Sequence, residues 1–408
     1  MFEDVPILDL PTAIAAVEHD FEADMGASRV DAITGWDRVM RFVQAQQLKE
    51  INALYEDRNR LIGAFREGDP ALHVIGQVSL ARNISPGAAG SQFGLALQLS
   101  KLPRVAQALK DGVISEPTAR AVCRPVSGLS VDDLMLFDAE IAPRLPGLTP
   151  RRAGQLAERI VISLDADLAA DRAKQRREDV RVNLTSHPDG VATLTVEGPA
   201  EQITAAHGAL QSWALGLRSA GDERSLEQIM CATLVERVTG AIHASDTTVE
   251  VGIVIDVATL LGAASNPVEL VGHGPIAPTV ADEIIGNAHR VFYRRLITDP
   301  ITQTLLARDE RRRYFDGALA GFIRTRDRHR CRQPGCDCRI RDVDHIKAYS
   351  DGGITRGDNG QGLCRRSHVI KHLPGWHVIT RTDGTVEWRT PSGQTYRSKT
   401  PSLDPLAA

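Results

Sequence analysis

The chain has 408 residues, 42% of them hydrophobic and 4% aromatic, and a formal net charge of −4. This excludes a globally disordered polymer and leaves room for two or three domains with cores built from Ala, Leu, Val and Ile. The net charge hides an asymmetry: residues 308–408 hold 20 Lys+Arg against 12 Asp+Glu, a net of +8, which leaves −12 on residues 1–307. A basic C-terminal segment on an acidic body is the pattern expected when only that segment meets a polyanion, although uneven charge also arises by chance. The N-terminus is acidic and has neither the basic n-region nor the long apolar h-region of a signal peptide. The longest apolar stretch, residues 251–264, is interrupted by Asp256 and is too short to span a bilayer. Four of the six cysteines fall within residues 331–364, which favours metal chemistry over a secreted disulfide framework. A cytoplasmic protein with no membrane partner is expected.

In chain order, apolar residues at helical spacing (Val39, Phe42, Val43, Leu48, Ile51, Leu54, Leu61, Ile62) predict a helix over 36–66. Ser85-Pro86 reads as an N-cap and first helical residue, and Pro103 interrupts the helix that follows. Short helices punctuated by prolines lead to a helix over 150–174, so residues 1–175 read as all-helical. Alternating residues on either side of Pro188-Asp189-Gly190 then predict a β-hairpin over 180–196. A helix over 199–217 is expected to pack through Ile203, Ala206, Leu210 and Trp213. A second helix over 225–242, a strand over 250–255, a Gly/Pro-rich segment and a helix over 287–296 complete an α+β region, 176–307. Cys123 and Cys231 sit alone in apolar helical patterns and are expected in the core. The Arg-rich segment that follows offers Arg311, Arg312, Arg313, Arg324 and Arg326 as phosphate contacts, or else as one solvated, salt-bridged helix.

Residues 308–408 carry the chemistry. A strand over 339–346 ends at the pair Asp344–His345, Gly352-Gly353 allows a reversal, and 361–364 can return antiparallel. A helix over 365–372 carries His368 and stops at Pro374-Gly375. Neighbouring side chains of a strand point to opposite faces, so Asp344 and His345 reach one site only if the strand distorts or ends there. A carboxylate, two imidazoles and an amide, Asn359, in this ββα order suit hydrolysis of a phosphodiester, which needs an activated water and a cation beside the departing oxygen. Further hairpin signals follow over 376–381, 385–389 and 395–399, with Arg389, Arg397 and Lys399 able to extend a basic face.

The arrangement resembles the HNH endonuclease motif, with His345, Asn359 and His368 at its three name-giving positions. The resemblance implies His345 as general base, Asp344 and His368 as ligands of one divalent cation, and Asn359 as the brace that orients His345. Mg²⁺ or Mn²⁺ suits such a site, with Zn²⁺ or Ni²⁺ as alternatives. DNA is the expected partner, with Arg324, Arg326, Arg365, Arg366 and Lys371 as contacts. Cleavage of both strands would need a homodimer or two successive events. Cys331, Cys336 and Cys364 supply three thiolates able to hold a structural Zn²⁺. Related modules usually carry a fourth ligand where this chain has Ser367, so Cys338 is the expected substitute; the alternative is an apolar thiol cluster without zinc.

Nearly all of residues 30–400 is similar to actinobacterial proteins that join a DUF222 domain to a C-terminal HNH module, the mycobacterial 13E12-repeat family. LSKLPRVAQALKDGVISEPTARAV, DGVATLTVEGPAEQITAAHGAL, ITDPITQTLL and WHVITRTDGTVEWRTPSGQTYRS carry the likeness. The expected fold is a mostly α N-terminal body (1–175), a small α+β middle region (176–307) and a basic C-terminal HNH (ββα-metal) module (308–408). The acidic body shows no catalytic constellation and reads as an oligomerisation, partner-binding or regulatory domain. A catalytically weak nucleic-acid-binding or interaction module is the competing expectation.

Overall fold

The computed structural model describes residues 27–65, 69–187, 190–240, 253–255, 257–271, 273–286, 315, 317–381 and 383–401. The expected helix over 287–296, most of the strand over 250–255, and Arg311, Arg312 and Arg313 lie outside the described residues. Two compact bodies are present. The first takes residues 1–173 together with Val369–Trp376; the second takes Lys174–His368 and His377–Ala408.

The first body is all-helical: α1 (Ala27–Phe65), α2 (Pro70–Ala81), α3 (Pro86–Leu99), α4 (Pro103–Lys110), α5 (Glu116–Cys123), α6 (Val131–Ile141), α7 (Pro150–Leu164) and the start of α8 (Ala166–Glu178). Its punctuation is written in the sequence. Pro70, Pro86, Pro103 and Pro150 open helices where a missing N–H costs nothing. The Asp69, Ser85, Ser130 and Thr149 side chains accept from the first-turn amides. Leu102 cannot cap α4, and Asp138 of α6 does so from a distance. Its carboxylate accepts from the Arg104 and Val105 amides at 2.9 and 3.0 Å, which ties two helices together. One long helix over 150–174 is corrected to two. Asp165 is extended (φ −146°, ψ 92°) and accepts from Leu168 N–H at 2.9 Å, capping α8 instead of continuing α7.

The core of this body runs from Leu48 and Ile51 through Phe93, Leu102, Leu109, Phe137 and Ile141 to Val161. Cys123 lies in it as expected, and burial pushes its thiol up to about 12. Segment 369–376 seats Trp376 and Ile370 against α2: a Cβ on Gly76 would stand 2.7 Å from the Trp376 ring and 2.8 Å from Ile370. The buried indole N–H of Trp376 donates to Nδ1 of His73 at 3.1 Å. Burial, helped by Arg58 and opposed by Asp69, holds the His73 ring below its usual range and so in the neutral, accepting form.

The second body is α+β. β1 (Arg181–Ser186) and β2 (Ala192–Glu197) form the expected hairpin, with Val182 opposite Val196 and Leu184 opposite Leu194 on one exposed face. α9 (Ala200–Ser219) and α10 (Leu226–Thr239) follow, the latter opened by a Ser225–Gln228 capping box. The expected packing face of α9 is corrected: Ala214 is its buried residue, Ala206 is exposed, and Trp213 lies on the surface beneath Arg237. Cys231 is exposed rather than in the core. The Gly/Pro-rich segment folds as β4 (Val268–Leu270) and β5 (Gly274–Ile276). Together with β3 (Ile253–Val254) they make a three-stranded sheet that packs Val268 and Ile276 against Ala281 of α11 (Pro278–Gly286). α12 (Gly317–Arg326), the pair β6 (Asp342–His345) and β7 (Gly360–Leu363), α13 (Arg365–Lys371) and a sheet β8 (His377–Thr380), β9 (Val386–Arg389), β10 (Thr395–Ser398) complete the chain. Among the described residues no helix is long and apolar enough to cross a membrane.

The α2 contact gives a stability test. Gly76→Leu is expected to cost about 1–3 kcal/mol by overpacking. Gly94→Ala, where nothing lies within 4 Å, should be neutral or mildly stabilising. Urea denaturation of both variants checks this.

Candidate metal centre

β6 and β7 pair antiparallel in the register Asp342↔Leu363, Val343↔Gly362, Asp344↔Gln361 and His345↔Gly360. Alternation therefore puts Asp342 and Asp344 on one face and Val343 and His345 on the other. α13 meets the first face. Nε2 of His368 stands 3.7 Å from Oδ1 of Asp344, and its Nδ1 stands 3.1 Å from Oδ2 of Asp342. The two residues expected to share a cation are thus neighbours. Asp342 was missed by the sequence reading, yet the D-x-D spacing in a strand already placed it beside Asp344.

The second face belongs to α12. A Cβ on Gly360 would come within 2.3 Å of Ile323 and 2.7 Å of Phe315, so only glycine lets these side chains reach the sheet. His345, the last residue of β6, is 9% exposed. Its ring lies 4.6 Å from that of Phe315, and its Nε2 is 2.8 Å from the Thr355 hydroxyl. Asn359 braces the loop immediately after it. Its side chain accepts from Lys347 N–H at 2.8 Å and donates to the carbonyls of Lys347 and Ile354, while its own carbonyl accepts from Ile346 N–H at 2.7 Å.

Two expected DNA contacts are corrected. Arg326 is buried: it pairs with the fully buried Asp327 and donates to the carbonyls of Gly357 and Gly360. Asp327 also accepts from Gly362 N–H at 2.8 Å and faces Arg332 at 3.4 Å. This guanidinium holds the Asn359 loop and β7 to α12, and its charge is used internally. Lys371 is likewise buried, only 8% exposed, and offers no surface to a phosphate. Arg365 and Arg366 are exposed at the start of α13, with Arg365 3.4 Å from Asp342; Arg324 is half-buried. Arg397 shares Glu387 with Arg381, while Arg389 is exposed.

The thiols form a second centre. Sγ atoms of Cys331, Cys336 and Cys364 all lie within 4.8 Å of one another, and Cys336 and Cys364 are 3.9 Å apart. Two sulfurs each about 2.3 Å from a tetrahedral zinc stand roughly 3.8 Å apart, so the trio fits that ion. Hydrogen bonds from Cys331, Cys336 and Cys338 hold the Cys364 thiol down. Cys336 is raised by its bonds to the same cluster. At Cys331 the bond to Cys336 lowers, but the bond to Cys364 and burial prevail and raise it to about 11. Ser367, fully buried, sits 3.2 Å from Cys331 and 3.1 Å from Cys364, and the half-buried Cys338 is not one of the three cysteines whose sulfurs lie mutually within 4.8 Å.

Residues 38–327 match the family model described as "Domain of unknown function (DUF222)". The chain belongs to the DUF222 family. It is similar to "Uncharacterized protein Rv3776" of Mycobacterium tuberculosis, 26% identical over 397 residues that cover 85% of this chain and 75% of the relative. It is also similar to "Uncharacterized protein Rv2100" of Mycobacterium tuberculosis, 26% identical over 457 residues that cover 95% of this chain and 82% of the relative. No solved structure matches. The match takes in α12 and Asp327, so this DUF222 chain carries the acid that braces β7 inside the family segment.

Arg326→Met is expected to cost about 3 kcal/mol, because it removes the nearer of the two guanidinium partners of the buried Asp327 carboxylate and leaves only Arg332 facing it. Arg366→Ala should stay within about 0.5 kcal/mol of the parent. Chemical denaturation separates the two, and equal small effects would return Arg326 to the surface.

Proposed function

We propose that this DUF222 protein is a metal-dependent endonuclease that hydrolyses DNA phosphodiester bonds through an HNH-like ββα site in residues 331–372. The observation that carries the reading is the Asp344–His368 pair, 3.7 Å apart across a strand and a helix. One carboxylate and one imidazole suit Mg²⁺ or Mn²⁺, with waters completing the set. A bound cation supplies positive charge beside the phosphate oxygens and the leaving 3′ oxygen. His345 takes a proton from the attacking water. Nε2 of His345 lies 2.8 Å from the Thr355 hydroxyl, which can accept Nε2–H or donate to Nε2; the general-base role goes with the first arrangement, in which Nδ1 carries the basic lone pair. β6 ends at His345, and the reading requires a phosphate bound at that end to reach both faces of the strand. Arg365 and Arg366 supply exposed charge for the backbone. Asn359 holds the loop that fixes where the strand ends.

A structural Zn²⁺ belongs to the same reading, held by Cys331, Cys336 and Cys364 with Cys338 as the fourth ligand. The purified parent is expected to contain about one equivalent of zinc, and the Cys338→Ala protein less. An unchanged value would give the fourth position to Ser367 or water.

One observation favours a second reading, a nucleic-acid-binding module with little catalysis: His345 is nearly enclosed and lies on the face opposite Asp344. Nicking of supercoiled plasmid in Mg²⁺ or Mn²⁺ separates the two. His345→Ala should lose at least about 100-fold in rate while DNA binding persists, and Asp344→Ala should lose both rate and metal dependence. Equal background nicking by parent and His345→Ala, with DNA still bound, would establish the binding module instead.

A further inference from the structure

The face of the β6–β7 pair that carries Asp342 and Asp344 holds one more polar side chain. Gln361 is the register partner of Asp344, and directly paired residues of antiparallel strands project to the same face. It is fully buried, at 0% exposure. Neither its Nε2 nor its Oε1 has a hydrogen-bond partner among the described residues. Buried amides in native proteins are almost always satisfied, and one that is not carries its full desolvation penalty. A leucine or methionine there would fill the space without that penalty, so the amide has a use that packing does not explain. The surroundings indicate it. Across the register stands Asp344, and beyond it His368, the two residues proposed to hold a cation.

We propose that Gln361 is a positioning residue of the cation site, its side-chain amide hydrogen-bonding the water shell of the ion held by Asp344 and His368. The inference rests on the metal-site reading and adds to it a residue that touches the ion's waters rather than the ion. The chemistry is suited to a hard cation. Mg²⁺ and Mn²⁺ keep several waters, and each water presents protons that need acceptors. The carbonyl of Gln361 accepts one, and its NH₂ donates to a water lone pair or to a phosphate oxygen that replaces that water. A neutral amide does this without adding a third negative charge beside Asp342 and Asp344, which would hold the ion too tightly to release a hydrolysed strand. Outer partners of this kind commonly change metal affinity 10- to 100-fold when removed.

The test uses the full-length chain and Mn²⁺ alone, with binding read by titration calorimetry and apo stability by thermal melting in chelator. Gln361→Met keeps length and volume and removes both polar atoms. The variant is expected to melt at or above the parent without metal and to bind Mn²⁺ about 10-fold or more weakly. Parent-like Mn²⁺ affinity in Gln361→Met, with binding lost in Asp344→Ala, would overturn the role of Gln361 and leave the cation site standing. A clearly lower apo melting temperature in Gln361→Met would also overturn it, by making the amide structural. Absence of Mn²⁺ binding by the parent, or equal binding by Asp344→Ala, would remove the cation site and this proposal together.

Discussion

Side chains of a β-strand alternate, and in β6 that alternation organises everything around it. Asp342 and Asp344 fall on the α13 face with His368, while His345 falls on the α12 face with Phe315 and Thr355. A one-residue slip of register would exchange the two sets and leave α13 facing an imidazole and a valine instead of carboxylates. The register is therefore the property the fold has to protect. Gly360 and Gly362 admit Ile323, Phe315 and Ile340 onto the α12 face at distances no other residue permits, which pins β7 sideways. Asp327 pins it lengthwise by accepting from the Gly362 amide while its own charge is met by Arg326 and Arg332.

The charge asymmetry of the sequence takes on a different meaning in this light. Some of the basic residues of the tail lie inside: Arg326 and Arg332 are buried on Asp327, and Lys371 is buried as well. Arg330 donates to the His273 carbonyl and Arg328 reaches Glu269, which ties the segment before β6 to the small β3–β4–β5 sheet. The basic side chains exposed beside the site are Arg365 and Arg366 at the start of α13, and Arg341 and Lys347 on either side of β6. The buried Asp327 and Glu387 offset two of the three buried cations, so among the described residues burial hardly changes the net charge of the segment; what it removes is Arg326 and Lys371 as individual phosphate contacts.

Much of the fold was legible because local signals are strong where helices and turns begin. Ser85-Pro86 gave the start of α3, Pro150 gave the start of α7, and Pro-Asp-Gly gave the β1–β2 hairpin. The ββα order and the Asp344–His368 pairing were also readable, since each rests on short-range spacing. Failures came where a long-range partner decided the outcome. Asp165 looks like any polar residue in a helix until it caps the next one. Cys231 and Trp213 sit in apolar patterns, yet among the described residues both are exposed, with Arg237 lying over the Trp213 ring. Arg326 reads as a phosphate ligand because nothing local announces that its next residue is a buried acid. Asp342 and Gln361 needed only the period-two rule and a register, and the register came from structure.

The central claim is that the Asp344 carboxylate and the His368 imidazole share one divalent cation. Crystals of the full chain soaked in Mn²⁺ and measured above and below the manganese absorption edge test this directly. An anomalous peak within coordination distance of Asp344 Oδ1 and His368 Nε2 is the predicted result. A well-ordered β6–α13 region with no peak there, or with manganese bound only elsewhere, would contradict it.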